Sequence, residues 1–322
     1  MAVKFGKIGV LMGGPSSERE ISLKSGKAVY EALKQLELDV CAVEIETDNQ
    51  KENMRLIKSR KIDCAFLALH GRFGEDGGIQ RILEMLKTPY TGSGVLASKL
   101  AMDKVYSRQI FEVHGLRVPK YKAIEKKCYN INCKSYTNLH LPLVVKPAGG
   151  GSSIGLSIVY EEQGLGEAIG LAFRFDERII IEEYIKGREL TVGILDEKAL
   201  PVIEIIPKRT FFDYEAKYQS GLTRYIVPAE LEESILRGAK DAALSAHKLL
   251  GCFGCSRVDM ILNKEGIPFI LEVNTIPGLT STSLLPKAAK ATGIGFHDLC
   301  LKLIKLAYER RPCGDLVRAI RQ

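Results

Sequence analysis

RVDMILNKEGIPFILEVN, residues 257–274, reads as two strands, Arg257 to Leu262 and Pro268 to Val273, joined by a turn around Asn263-Lys264-Glu265-Gly266. Residues two apart in a strand share a face. Arg257 and Asp259 therefore share a face of the first strand, and Glu272 and Asn274 share a face of the second. A turn centred between Glu265 and Gly266 sets Asp259 opposite Glu272 and Arg257 opposite Asn274. Two carboxylates directly opposite repel. A divalent cation relieves that repulsion, and an oxygen-only donor set favours Mg²⁺ or Mn²⁺. A solvated sheet face with alternating acids and bases gives the same pattern. Asn274 running into Thr275-Ile276-Pro277-Gly278 favours the site, because a polar strand end before a glycine turn often lines one.

Upstream of the hairpin, Leu231 to Leu250 has the period of an amphipathic helix, and Leu190 to Leu195 and Leu200 to Ile206 read as strands. Between them, 207–224 has no regular period and carries Phe211-Phe212-Asp213-Tyr214-Glu215-Ala216-Lys217-Tyr218. A loop this long in a compact protein is usually functional. Its aromatics anchor the loop or belong to a lid that excludes water. Further upstream come strands at Leu143 to Lys146, Leu156 to Tyr160 and Ile179 to Glu183, with a helix over Leu165 to Phe175. The first of these delivers Lys146 into Pro147-Ala148-Gly149-Gly150-Gly151-Ser152-Ser153-Ile154-Gly155. Glycines let backbone N–H groups approach phosphate oxygens, and the lysine adds charge. A mobile hairpin tip has the same composition, and neither GxxxxGK[ST] nor GxGxxG is present. The strand end Ile181-Glu182-Glu183-Tyr184-Ile185, with Glu189 beyond it, could receive an adenine edge and a ribose, but its acids taken alone read better as a solvated strand end.

The first hundred residues alternate differently. Ile8 to Met12, Val40 to Ile45 and Cys64 to Leu69 read as strands, and Pro89 to Thr91 as a short fourth. Ser17-x-x-Glu20 reads as a capping box opening the first helix, and Ile79 to Leu86 as a later one. This β-α-β-α rhythm implies a parallel sheet with helices on its faces. Ligands of such sheets bind at the carboxyl ends of the strands. Two glycine-rich turns lie there, Gly13 to Glu18 and His70 to Gly78. The pattern breaks near Met102, where a helix over Asp103 to His114 leads to a strand beginning at Pro119. Helices near 283–291 and 296–308 close the chain before a charged tail.

At 322 residues the chain has room for two or three domains, and its 46% hydrophobic and 26% charged content is that of a soluble globular protein. No apolar run approaches a membrane span, and the N-terminus lacks the pattern of a signal peptide. The net charge of +7 is scattered, without the contiguous basic and aromatic stripe of a nucleic-acid binder. It suits an anionic small ligand. Eight cysteines without a secretory signal imply reduced thiols in the cytoplasm. Cys252 and Cys255 have zinc-ligand spacing, but Cys128 and Cys133 are poorly spaced partners, which favours buried thiols.

In their order and spacing, GGPSSEREISLKSG, ALHGRFGEDG, YTGSGVLASKLAMDK, VVKPAGGGSSIG, FFDYEAKY, GCSRVDM and LEVNTIPGLTSTSL resemble the ATP-grasp ligases, and among them the D-alanine–D-alanine ligase family. The resemblance runs from about Lys7 to Leu306. It implies a parallel-sheet α/β domain at 1–101, then a two-subdomain α+β ATP-grasp fold at 102–187 and 188–309, with a lid at 208–224 and a tail at 310–322. It implies D-alanine and ATP as substrates, two Mg²⁺ or Mn²⁺ ions, and a homodimer without membrane or nucleic-acid partners. Glu18 would bind the first ammonium, with Ser152 and Tyr218 holding it and closing the lid, and His70 nearby. Lys104 and Lys146 would contact phosphates, and Lys217 the γ-phosphate. Glu182, Glu183, Ile185, Glu189 and Phe211 would surround adenosine. Asp259, Glu272 and Asn274 would hold the metal ions. Arg257 and the N–H of Gly278 would form an oxyanion hole, and Ser283 would take the second carboxylate. Glu215-Ala216-Lys217-Tyr218 favours a dipeptide product over a D-alanine–D-lactate or D-serine product. Retention of the metal ligands and Arg257 speaks against a non-catalytic nucleotide binder. The family more often has larger polar residues at Gly149-Gly150, and a more mobile phosphate loop is expected here in the absence of ATP.

Overall fold

A computed structural model describes residues 5–129, 138–151, 154–207 and 223–310. Ser152, Phe211, Lys217, Tyr218, most of the 208–224 loop and the tail after Arg310 lie outside them.

The first sheet alternates with helices: β1 (Ile8–Gly13), α1 (Arg19–Gln35), β2 (Val40–Ile45), α2 (Gln50–Arg60), β3 (Cys64–Leu67) and α3 (Gly78–Met85). The strands are parallel in the order β2-β1-β3, with Ile8 paired to Val40 on one side and Cys64 on the other. Tyr90 adds a parallel bridge to Ala65. Every residue of β1 is buried, as expected of a central parallel strand covered on both faces.

The capping box read at Ser17 and Glu20 does not form. Helix α1 starts at Arg19 with Glu18 at its N-cap and no side-chain capping bond. Ser16 organises the turn instead, donating to the His70 carbonyl at 2.7 Å and accepting the Glu18 N–H at 3.2 Å. A bond across the sheet end has replaced a local one.

Two helices follow, α4 (Val95–Met102) and α5 (Lys104–Val113). The side chain of Asp103 between them caps α5, accepting from the N–H groups of Val105 and Tyr106. The second sheet comprises β4 (Tyr121–Glu125), β5 (Leu143–Pro147), β6 (Ser157–Val159) and β7 (Arg178–Glu183) in the antiparallel order β4-β7-β5-β6. Helix α6 (Leu165–Ala172) buries Ala168, Ile169 and Ala172 against Val145, Ile179 and Ile181 of its strands.

The third sheet is antiparallel: β8 (Gly187–Leu195), β9 (Lys198–Ala199), β10 (Ile203–Pro207), β11 (Thr223–Ile226), β12 (Cys255–Asn263) and β13 (Pro268–Asn274), in the order β11-β10-β8-β12-β13 with β9 beside β8. Helix α7 (Glu233–Leu249) presents Ala239, Ala243 and Ala246, spaced i, i+4, i+7, to Val192, Val258 and Met260. Helix α8 (Leu284–Lys290) covers the third sheet's other face. Helix α9 (Phe296–Glu309) returns to the first sheet, placing Leu299, Leu303 and Ile304 in one cluster with Val29, Leu33 and Phe66. Among the described residues no helix is long and apolar enough to cross a membrane.

The chain passes from the second sheet to the third through Tyr184-Ile185-Lys186. At Gly187 the strands are so close that an added Cβ would lie 2.0 Å from the Leu262 carbonyl oxygen. Gly187→Ala should therefore lower the urea midpoint, with a loss of about 1–3 kcal/mol. An unchanged midpoint would show that β8 can move away from β12 at no cost.

Candidate active site

The three sheets meet around two adjoining cavities. One of about 480 Å³ is lined by Glu18, Ser25, His70, Glu75, Arg257, Gly278 and Ser283, among others. One of about 350 Å³ is lined by Lys146, Glu182, Glu183, Ile185, Glu189 and Leu271, among others. Lys104, Gly150, Gly151, Asp259 and Glu272 border both.

Glu18 is buried at the start of α1. The turn before it is fixed by Ser22, which accepts the Gly13 N–H at 2.8 Å and donates to the Ala68 carbonyl at 2.7 Å. His70 joins three elements. Its Nδ1 lies 3.0 Å from the Ile276 carbonyl and its Nε2 2.9 Å from Ser25 Oγ. A carbonyl only accepts, so in the neutral ring Nδ1 carries the hydrogen and Nε2 accepts from the Ser25 hydroxyl. Ser25 Oγ also accepts the Leu279 N–H at 3.3 Å. The histidine thus ties α1 to the 275–279 segment that carries Gly278. Glu75 stands 3.4 Å from the same Nδ1, and burial pushes its carboxyl above the usual range despite His70. Ser283, at the N-cap of α8, accepts the Thr280 N–H at 3.1 Å beside Gly278.

The hairpin places Asp259 opposite Glu272 and Arg257 opposite Asn274, the pairing expected. The route to it differs. Nearer the turn, Met260 pairs with Ile270 and Leu262 with Pro268, so the turn is centred on Glu265, with Gly266 at φ 75°. A bulge between Asp259 and Met260 inserts one residue and restores the register. Leu271 and Glu272 both end up lining the 350 Å³ cavity, while Ile270 and Val273 stay in the core.

Asp259 accepts from Arg257 through both oxygens, at 2.8 and 2.7 Å, and from Thr191 Oγ1 at 2.6 Å. Glu272 lies 3.2 Å from Lys104 Nζ, which also donates to the Gly150 carbonyl. Asn274 Oδ1 accepts the Ile276 N–H at 2.9 Å. Among the described residues no group of three His, Cys, Asp or Glu side chains gathers to hold a metal alone. Two carboxylates and an amide oxygen still suit Mg²⁺ or Mn²⁺. Mg²⁺ takes one or two protein carboxylates and fills the rest of its shell with phosphate oxygens and water.

At the base of the smaller cavity, Glu182 is buried between two cations. Its Oε1 lies 2.7 Å from Lys146 Nζ, and its Oε2 pairs with Arg108. Burial alone would raise the Glu182 carboxyl, but Arg108 and Lys146 hold it below the usual range. Burial, with Arg108 and Lys104 beside it, brings Lys146 down to about 8, against the opposing pull of Glu182. Arg108 also donates to the carbonyl of Leu271, the bulge residue, at 3.4 Å. Arg188 grips the buried Glu204 through two bonds of 2.6 Å on the same cavity wall.

Sequence reading passed over Arg108, Thr191, Glu204 and Glu75. Arg108 was the most accessible of these: Lys104, Arg108 and Phe111 fall at i, i+4, i+7 of α5, so two charges occupy the apolar stripe. Cys64, Cys255 and Cys300 are buried, Cys41 and Cys252 are partly buried, and Cys128 is exposed. Burial pushes Cys252 and Cys255 up to about 12. Cys133 lies outside the described residues.

The chain matches two family profiles, described as D-ala D-ala ligase N-terminus, at residues 7–56 and 46–93, and D-ala D-ala ligase C-terminus, at residues 110–305. A D-alanine--D-alanine ligase of Pelotomaculum thermopropionicum is 48% identical over 320 residues, covering 96% of this chain and 98% of the relative. One of Geotalea uraniireducens is 47% identical over 306 residues, covering 95% and 96%. Among solved structures, a D-alanine--D-alanine ligase of Bacillus anthracis has a TM-score of 0.84 at 40% identity, covering 94% of this chain and 98% of that one. The VanG D-Ala:D-Ser ligase of Enterococcus faecalis has a TM-score of 0.79 at 33% identity, covering 94% and 99%.

Lys146 should take up a proton when an anion binds beside it. An anion bound beside it favours the charged form and raises its pKa. Below about pH 7 the lysine is already protonated, so ADP binding should take up no proton there. From about pH 8 to about pH 9 it should take up a fraction of one. Calorimetry in buffers of different ionisation enthalpy reads this directly. Absence of uptake at the higher pH would place Lys146 away from the phosphates.

Proposed function

The chain belongs to the D-alanine–D-alanine ligase family, and we propose that it joins two D-alanines across the wall shared by the two cavities. The product is D-alanyl-D-alanine, a peptidoglycan precursor, and the reaction consumes ATP. What carries this reading is that shared wall: Lys104, Gly150, Gly151, Asp259 and Glu272 border both cavities. A nucleotide in the smaller cavity, with its phosphates toward Lys146 and Lys104, would present its terminal phosphorus to a carboxylate in the larger one.

Glu18 receives the ammonium of the first D-alanine. The carboxylate of that D-alanine attacks the γ-phosphorus, forming an acyl phosphate and releasing ADP. Lys104 and Lys146 offset the charge that develops on the phosphate oxygens. Asp259, Glu272 and Asn274 would hold the two divalent ions, which when bound would add further neutralising charge. The amine of the second D-alanine, its carboxylate on Ser283, then attacks the acyl carbon. Arg257 and the Gly278 N–H stabilise the oxyanion, and collapse expels inorganic phosphate as the amine proton is lost. Water must be kept out, since it would hydrolyse the acyl phosphate. Glu183, Ile185 and Glu189 border the adenosine. Ser152, Phe211, Lys217 and Tyr218 keep the lid and nucleotide roles that the resemblance gives them. Dependence on ATP fits a cytoplasmic enzyme, and the resemblance carries a homodimer, which sedimentation would test.

Oxygen-18 in the carboxylate of D-alanine should appear in the released phosphate, one atom per turnover. Label remaining wholly in the dipeptide would exclude the acyl phosphate. With D-alanine, D-lactate and D-serine in competition, mass spectrometry should find D-alanyl-D-alanine as the main product. Glu272→Gln keeps the shape of the side chain and removes its charge, and should lower turnover by about 100-fold or more. Ordinary turnover of this variant would remove Glu272 from the metal site.

A further inference from the structure

The glycine loop that borders both cavities is tied down by a side chain from elsewhere in its sheet. Asp176 lies between α6 and β7. Its Oδ2 accepts the Gly149 N–H at 2.7 Å, and its Oδ1 accepts the Arg178 N–H at 3.3 Å. The carboxylate therefore spans from the start of β7 to the loop leaving β5. Gly149 permits this approach, since a Cβ there would lie 3.1 Å from Asp176 Oδ2. From the other side Arg72, on the loop that carries His70 and Glu75, donates to the Phe175 carbonyl at 3.2 Å and stands 3.6 Å from Asp176 Oδ2.

Three consecutive glycines are costly to order, because glycine loses more backbone freedom than any other residue. A loop that must hold N–H groups toward phosphate oxygens gains from being ordered beforehand. A charged acceptor makes a stronger anchor than a neutral one. A carboxylate near bound phosphates would by itself repel them, and the Arg72 guanidinium offsets that charge.

We propose that Asp176 is a positioning residue for the nucleotide phosphates: its bond to Gly149 fixes the loop so that Gly150 and Gly151 face the shared wall. The proposal rests on the reading of this loop as the phosphate cradle. It concerns binding of the phosphates and not of the nucleoside, and this distinction makes it testable.

Calorimetry on the full chain should compare ADP with adenosine. The parent protein should bind ADP more tightly. Asp176→Ala should weaken ADP on the order of 10-fold while leaving adenosine within about 2-fold. Asp176→Asn keeps a neutral acceptor oxygen and should recover part of the loss, which also covers the case of an alanine variant that fails to fold. In turnover, KM for ATP should rise more than kcat falls. Equal weakening of ADP and adenosine would reduce Asp176 to a support of the fold and overturn the proposal, as would unchanged ADP affinity. A parent protein that binds adenosine as tightly as ADP would instead remove the phosphate cradle itself.

Discussion

Asp259 and Glu272 are held directly opposite each other across an antiparallel pair, an arrangement that costs free energy unless cations offset it. Much of the surrounding structure meets that requirement. Arg257 takes both oxygens of Asp259, and Thr191 fixes one of them from behind. Lys104 reaches Glu272 from the first turn of α5, where the helix dipole disfavours a positive charge. Its contacts with Glu272 and the Gly150 carbonyl offset that penalty and join the glycine loop to the hairpin. Two acids and two bases thus stand together where the hairpin, α5 and the glycine loop meet.

Glu182 has the complementary task in the smaller cavity. A carboxylate this deeply buried is stable only when paired on both oxygens, and removing either partner of a buried pair typically costs about 3–5 kcal/mol. Its pairing with Arg108 leaves Lys146 incompletely neutralised at the cavity surface. Arg108 also holds the carbonyl of Leu271, so the same guanidinium supports the Glu182–Lys146 pair and the bulge that orients Glu272. Arg108 thus ties the Glu182 network of the smaller cavity to the hairpin.

The alternation of the first hundred residues was enough to indicate a parallel sheet, and the period-2 pattern of 257–274 placed the acids opposite each other. Both depend on local periodicity. The pairing was right although the turn was misplaced by half a residue, because a bulge cancels the difference. A bulge has no period and cannot be found by counting. The capping box failed for a related reason: Ser16 bonds to His70, 54 residues away in the chain. Helix α4 was missed because it is short and lacks a polar stripe. Site residues carried by glycine-rich motifs stood out in the sequence. Those that act from within a strand or helix, such as Thr191, Glu204 and Arg108, look like ordinary members of their elements until the sheets are assembled.

Helix α9 is the last element described, and it completes the core beneath the first sheet. Leu299, Leu303 and Ile304 fill the space beside Val29, Leu33 and Phe66, and Tyr308 donates to the Phe5 carbonyl. During synthesis the first sheet leaves the ribosome with that side open, and its apolar surface waits until residues 296–309 have been made. A ribosome stalled anywhere before α9 would thus display an unfinished hydrophobic face.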